Sequence, residues 1–187
     1  MSHNFLLNIN FHQTLVEIDH HTASEYQQKG CKYCGGKLNQ AHYPRIGFGV
    51  SSRIAPLYAK RLSWCCAVCR RRTTPPSIRF LGQRRYISTI FILLGALRLS
   101  PCDERCEQLV RRFGLNVSVS TWKRWLTWWR HRFPQTEFWA VAKAHFPHMI
   151  SAPLFPRALL QQFSGTHLSQ RLILLLHFLS PLTIGAV

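Results

Sequence analysis

Cys31-Lys32-Tyr33-Cys34-Gly35-Gly36 and Cys66-Ala67-Val68-Cys69-Arg70-Arg71-Arg72 are two matched CxxC hooks. They are separated by 31 residues, and residues 29–85 hold 13 Lys or Arg and no Asp or Glu. Two short turns that each offer a pair of thiolates are suited to tetrahedral zinc. The glycines after Cys34 let the backbone turn beneath the metal. Cys65 stands next to Cys66, but Cys66-x2-Cys69 repeats the spacing of the first hook. The expected ligands are therefore Cys31, Cys34, Cys66 and Cys69, with Cys65 a neighbour of the site or a packing residue on the other face of the strand. A redox CxxC would need only one hook, opening a helix after a strand. Four thiolates leave no open coordination position, so the expected zinc is structural.

Outward from the hooks, the 187-residue chain has room for one medium domain or two small ones. It is 47% hydrophobic with six Trp, too apolar for a disordered tail. Net charge is +17 with a pI near 10.5, which predicts attraction to polyanions or anionic lipid. Seven cysteines and the lack of a basic, apolar leader in residues 1–28 point to a reducing compartment. The apolar run at residues 172–187 is too short for the roughly 20 residues of a membrane span, and no membrane partner is expected.

Four segments are expected. Residues 1–28 are poorly defined, with alternation at Phe5, Leu7, Ile9 and Phe11 suggesting a short strand. Residues 29–82 read as a small zinc-ribbon β module that displays Arg70, Arg71, Arg72, Arg79, Arg84 and Arg85. Residues 83–134 read as helical, and residues 135–187 as a helical extension: 137–146, 157–163 and 168–180, separated by prolines. The first helix starts near Arg84, with Tyr86, Ile87, Ile90, Phe91, Leu93, Leu94 and Leu97 apolar. In the second, Ser100 is the expected N-cap and Pro101 the first helical residue. Cys106, Leu109, Val110 and Phe113 form its buried face, and Gly114 ends it. Cys102 and Cys106, one turn apart, read as packing residues.

The third helix is capped by Ser118 or Ser120. It places Val119, Trp122, Trp125, Leu126, Trp129 and Phe133 on one side and Ser120, Arg124, Thr127 and His131 on the other, with Lys123 alongside. Helix, glycine turn, helix is the helix-turn-helix pattern. Its second helix would present Ser120, Thr121, Lys123, Arg124 and Thr127 to base edges. Arg130, Arg132, Arg111 and Arg112 would add phosphate contacts. Trp128 falls outside the buried arc and is the tryptophan placed to stack on a base or a partner.

A CxxC…CxxC ribbon, a basic linker and a helix-turn-helix with Thr121-Trp122-Lys123-Arg124-Trp125 resemble the N-terminal DNA-binding region of bacterial insertion-sequence transposases. The resemblance covers about residues 29–133 and rests on Cys31, Cys34, Cys66, Cys69, Gly114, Thr121 and Arg124. It implies binding to double-stranded DNA at element ends, in a bacterial cytoplasm at the nucleoid, with a transposase or other mobile-element protein as a further partner. The chain departs from the family in its acids: Glu17, Asp19, Glu25, Asp103, Glu104, Glu107 and Glu137 are all it has. These offer no plausible triad for two-metal strand transfer. The expectation is a non-enzymatic accessory protein or a truncated transposase. The alternatives are an RNA-binding or ribosome-associated zinc ribbon, and an interaction or membrane-peripheral module using the apolar C-terminal helix.

Overall fold

The computed structural model describes residues 4–81, 85–97, 100–146 and 150–183. After a 3-10 turn at Asn4–Leu7, helix α1 runs over Ile9–Gln28. Five short strands follow: β1 (Leu38–Gln40), β2 (Tyr43–Pro44), β3 (Lys60–Arg61), β4 (Trp64–Cys66) and β5 (Arg72–Thr73). They form an antiparallel sheet in the order β1-β4-β5 and a separate β2-β3 pair. Among the described residues, six α-helices come after β5: α2 (Ser88–Ala96), α3 (Asp103–Phe113), α4 (Val119–Thr127), α5 (Glu137–Ala142), α6 (Arg157–Gln161) and α7 (Leu168–Leu179). The chain is therefore a small antiparallel sheet region with a four-cysteine cluster, joined to a larger helical body.

The strand expected in residues 1–28 is corrected to the 20-residue α1. Asn8 caps it, its side chain accepting from the Asn10 N–H at 2.9 Å. The buried stripe is Phe11, His12, Leu15, Asp19 and Ala23, a helical spacing. Two of those five are polar, so a count of apolar residues misses the stripe. The alternation from Phe5 to Phe11 instead spans a 3-10 turn, a cap and the first helical turn.

The polar members of the stripe are fully partnered. Asp19 Oδ1 accepts from the Ile78 N–H at 2.7 Å, and Oδ2 accepts from Ser77 Oγ at 2.5 Å and Arg79 Nε at 2.7 Å. The Arg79 guanidinium also donates to the carbonyls of Leu57 and Lys60. Arg79, expected on the surface of the ribbon, is 3% exposed and serves as a buried joint. Seven residues upstream of Asp19, His12 Nε2 donates to the Leu6 carbonyl at 2.9 Å, so its Nδ1 accepts from the Tyr58 hydroxyl at 2.7 Å. Burial holds the imidazole below its ordinary pKa and the phenol above its own, which keeps both neutral.

Helix α2 is apolar nearly all round, and it lies at the centre of the helical body. It starts at Ser88 rather than near Arg84, because Tyr86 pairs with Phe48 in an isolated bridge before the helix begins. Arg84 lies outside the described residues. Helix α4 packs its tryptophans on α2: Trp122 Nε1 donates to the Leu94 carbonyl at 2.9 Å, and Trp129 stacks on Phe91 with centroids 5.1 Å apart. A π-helical turn at Trp128–Arg132 extends α4, closed by the Phe133 N–H donating to the Trp128 carbonyl. Its wider turn brings both Trp128 and Trp129 against the Phe91 ring.

Helix α3 begins at Asp103 with Cys102 as its N-cap residue, so the expected Ser100-Pro101 start is corrected by two residues. None of its residues is fully buried, and Val110 is 47% exposed. Cys106, Leu109 and Phe113 do pack against the core from its edge. Gly114 ends α3 at φ 65°, a left-handed cap that favours glycine. Ser118 caps α4, accepting from the Thr121 N–H at 3.2 Å. Helix α7 buries Leu172, Leu175, Leu176 and Leu179 within the same core. Among the described residues no helix is long and apolar enough to cross a membrane.

If the Asp19–Arg79 pair joins α1 to the chain as described, Asp19→Ala leaves a guanidinium buried without its counter-charge. We expect a loss of about 3–5 kcal/mol in urea unfolding at neutral pH. A loss below about 1 kcal/mol would show that other contacts carry the joint.

Candidate metal centre and basic groove

The first hook is closed by two backbone hydrogen bonds, Gly35 N–H to the Cys31 carbonyl at 2.8 Å and Cys31 N–H to the Gly36 carbonyl at 3.0 Å. Gly35 sits at φ 69°, and a Cβ on Gly36 would lie 2.9 Å from the Val68 side chain and 3.0 Å from Cys66 Sγ. Glycine at 36 leaves room for the second hook, and glycine at 35 suits the left-handed backbone of the first. The second hook follows β4, whose register sets Leu38 opposite Cys66 and Asn39 opposite Cys65. Successive strand residues face opposite sides. Cys66 therefore points into the cluster, while Cys65 faces away and donates its thiol to the Arg70 carbonyl at 3.4 Å.

The Sγ atoms of Cys31, Cys34, Cys66 and Cys69 all lie within 4.8 Å of one another. Cys31 and Cys69 are 3.6 Å apart, and Cys34 and Cys66 are 3.4 Å apart. Ligands about 2.3 Å from a tetrahedral ion stand about 3.8 Å from each other, so the set could hold one metal ion. The N–H groups of Val68 and Cys69 both approach Cys66 Sγ at 3.4 Å. The Cys69 and Val68 N–H groups pull the Cys66 thiol down to about 6, against the opposing effect of burial. At Cys69 the Arg71 N–H favours the thiolate, but burial and three neighbouring sulfurs outweigh it and push the thiol up to about 12. Four crowded thiols resist ionising together, and a bound cation removes that conflict.

Around the cluster lies a small apolar group: Ala23 of α1 with Leu38, Leu62 and Trp64. Trp64 Nε1 donates to the Ala23 carbonyl at 2.9 Å, and Gln27 Nε2 to the Leu38 carbonyl at 3.2 Å. The C-terminal half of α1 is thereby fastened to the sheet. All three arginines of the triplet are exposed, and Arg71 lies over the Tyr33 ring at 4.4 Å. Arg72 donates to the Ala41 carbonyl at 2.6 Å and to Ser63 Oγ at 3.0 Å, which ties it into the sheet.

A second feature lies beside α4. Arg85, Thr121, Lys123, Arg124 and Thr127, all expected to contact DNA, line one open groove of about 620 Å³. Arg132 adds a cation, and Tyr86, Trp125 and Trp128 supply ring surface. Arg85, Lys123, Arg124 and Arg132 are exposed, and no acidic side chain of the described residues lines the groove. Arg85 packs over the Phe48 ring at 4.3 Å, and Arg124 donates to Thr121 Oγ1 at 3.0 Å. Ser120 is exposed on the same helix but does not line the groove. Tyr86 carried no sequence signal for such a role: the long-range bridge to Phe48 delivers it, together with the hydroxyl's bond to the Asn116 carbonyl at 3.0 Å.

No protein-family model matches the chain, and comparisons with curated proteins and with solved structures return no match.

The geometry predicts one metal ion per chain by elemental analysis. Cys66→Ser should abolish it and loosen the sheet region, since forming such a site and folding around it are coupled. Cys65→Ser should retain it. The reverse result would overturn the assignment of the four sulfurs.

Proposed function

We propose that this chain is a zinc-stabilised, sequence-specific DNA-binding protein of a mobile element, either transposase-associated or a truncated transposase. The observation that carries the reading is the groove beside α4. Arg85 and the residues from Thr121 to Thr127 come from separate parts of the sequence, yet they line one cationic surface without an opposing acid among the described residues. Nucleic acid is the polyanion that such a surface suits best, given a net charge of +17.

Helices α3 and α4, joined through the left-handed Gly114 and the Ser118 cap, support a helix-turn-helix reading. The face of α4 that carries Lys123, Arg124 and Thr127 is exposed, while its tryptophan face is occupied by α2. In the proposed mode that face enters the major groove, and Arg124 donates to a guanine edge. Zinc suits an all-thiolate, four-ligand set, and with no open position it acts as a staple. The mobile-element context, a bacterial nucleoid location and a transposase partner rest on the sequence resemblance alone.

A role in strand cleavage is not proposed. Among the seven acids, Asp19 is 2% exposed and committed to Arg79, Ser77 and Ile78, and Glu107 pairs with Arg111 at 2.9 Å. A peripheral role for the C-terminal helix is disfavoured because α7 buries its leucine face within this chain.

The test begins with a duplex enriched from random sequences, measured against a scrambled duplex over a salt series, with structured RNA as competitor. Arg124→Ala should lower the target-to-scrambled ratio by about 1–3 kcal/mol with little change in salt slope. Arg70→Ala with Arg71→Ala should weaken binding to every sequence and flatten the slope by up to about two units. An unchanged ratio in Arg124→Ala would remove its reading role. Preference for the RNA would replace duplex DNA as the ligand.

A further inference from the structure

We propose that the groove beside α4 takes an unpaired nucleobase of the DNA that α4 binds. The inference rests on the DNA-binding reading and adds a substrate feature to it.

A recognition helix presents a convex face to the edges of paired bases. Beside that face of α4 lies an open hollow of about 620 Å³ lined by both cations and aromatic rings. Its lining includes the exposed cations Arg85, Lys123, Arg124 and Arg132 together with Thr121 and Thr127. Tyr86, Trp125 and Trp128 line the same groove. Trp125 is nearly covered, whereas Tyr86 and Trp128 keep part of their surface open.

Paired bases in a duplex have their faces stacked and offer only edges, so ring surface in a cationic groove has nothing to stack on. A base that leaves the helix exposes its face. Grooves that hold single strands combine cations along the backbone with aromatic platforms for the bases. The rings here are already held in place. Tyr86 meets Trp125 edge-on with centroids 4.9 Å apart and is fastened by its hydroxyl to Asn116. Trp128 is wedged against Phe91 at 5.3 Å and Phe133 at 5.6 Å. A platform that does not need to be ordered on binding loses less entropy when a base arrives. The π-helical turn contributes directly, because it begins at Trp128 and ends at Arg132, setting one ring and one cation of the groove.

The test uses the full chain and three duplexes sharing one α4 target sequence. The first is blunt, the second carries three unpaired thymidines beside the target, and the third carries three abasic nucleotides in their place. The abasic tail adds the same phosphates without the bases. Affinity is read by fluorescence anisotropy at one salt concentration. The expected result is a gain of about five-fold or more for the thymidine tail over the blunt duplex, absent with the abasic tail. Trp128→Leu should shrink the difference in affinity between the thymidine and abasic tails. Because Trp128 also packs on the core, the comparison of thymidine with abasic tails in the unaltered protein decides the matter without it. Equal affinity for the two tails, with the blunt duplex still bound, would overturn the base-binding groove and leave the DNA-binding reading standing. Failure to bind any of the three would overturn both.

Discussion

The buried contact between Asp19 and Arg79 is the constraint on which the rest of the arrangement depends. One carboxylate in the middle of α1 gathers the Ser77 hydroxyl, the Ile78 N–H and the Arg79 guanidinium. The same guanidinium then reaches the carbonyls of Leu57 and Lys60. Three chain segments distant in sequence are thus fixed around a single charge pair. A charge pair removed from water tolerates little departure from good geometry, because each unpaired group would be left buried at a high cost. The pair therefore sets where α1 lies as well as holding it there.

From that joint α1 reaches in both directions. Phe11 and Leu15 enter the large helical core, and Ala23 enters the small apolar group around the sulfurs. That second group is too small to form a self-sufficient core, having few buried residues beyond two of the cysteines themselves. A metal ion on four thiolates would supply what burial cannot, which is the usual reason for such a staple in a small sheet. The sheet is held at its other side by Arg72, whose bonds to Ala41 and Ser63 use an arginine as a structural brace.

The groove depends on a different packing problem, that of fitting several large rings around α2. Trp122 and Trp129 donate their indole N–H groups to carbonyls of α2, which satisfies the only polar atom each ring would otherwise bury. With the tryptophan face committed in this way, the opposite face of α4 can only point outward. Its cations then lie beside Arg85, which arrives through the Phe48–Tyr86 bridge. Core packing thereby leaves one cationic surface whose lining also includes aromatic rings.

Several parts of this architecture are legible in the chain itself. The CxxC spacing identifies the four sulfurs that meet, and strand alternation separates Cys66 from Cys65. Gly114 and Ser118 mark the turn before α4, and the period of Trp122, Trp125, Leu126, Trp129 and Phe133 marks its buried face. These are local signals, set by backbone geometry over a few residues. What only the tertiary structure decided is which polar residues go inside and which distant residues meet. Asp19, His12 and Arg79 read as surface groups until each is given a partner, and α1 is hidden for that reason. Tyr86 and Arg85 join the residues of α4 through a pairing with Phe48 nearly 40 residues upstream. Burial of a charge and closure of a long loop are settled by partners far away in sequence, so no local pattern can announce them.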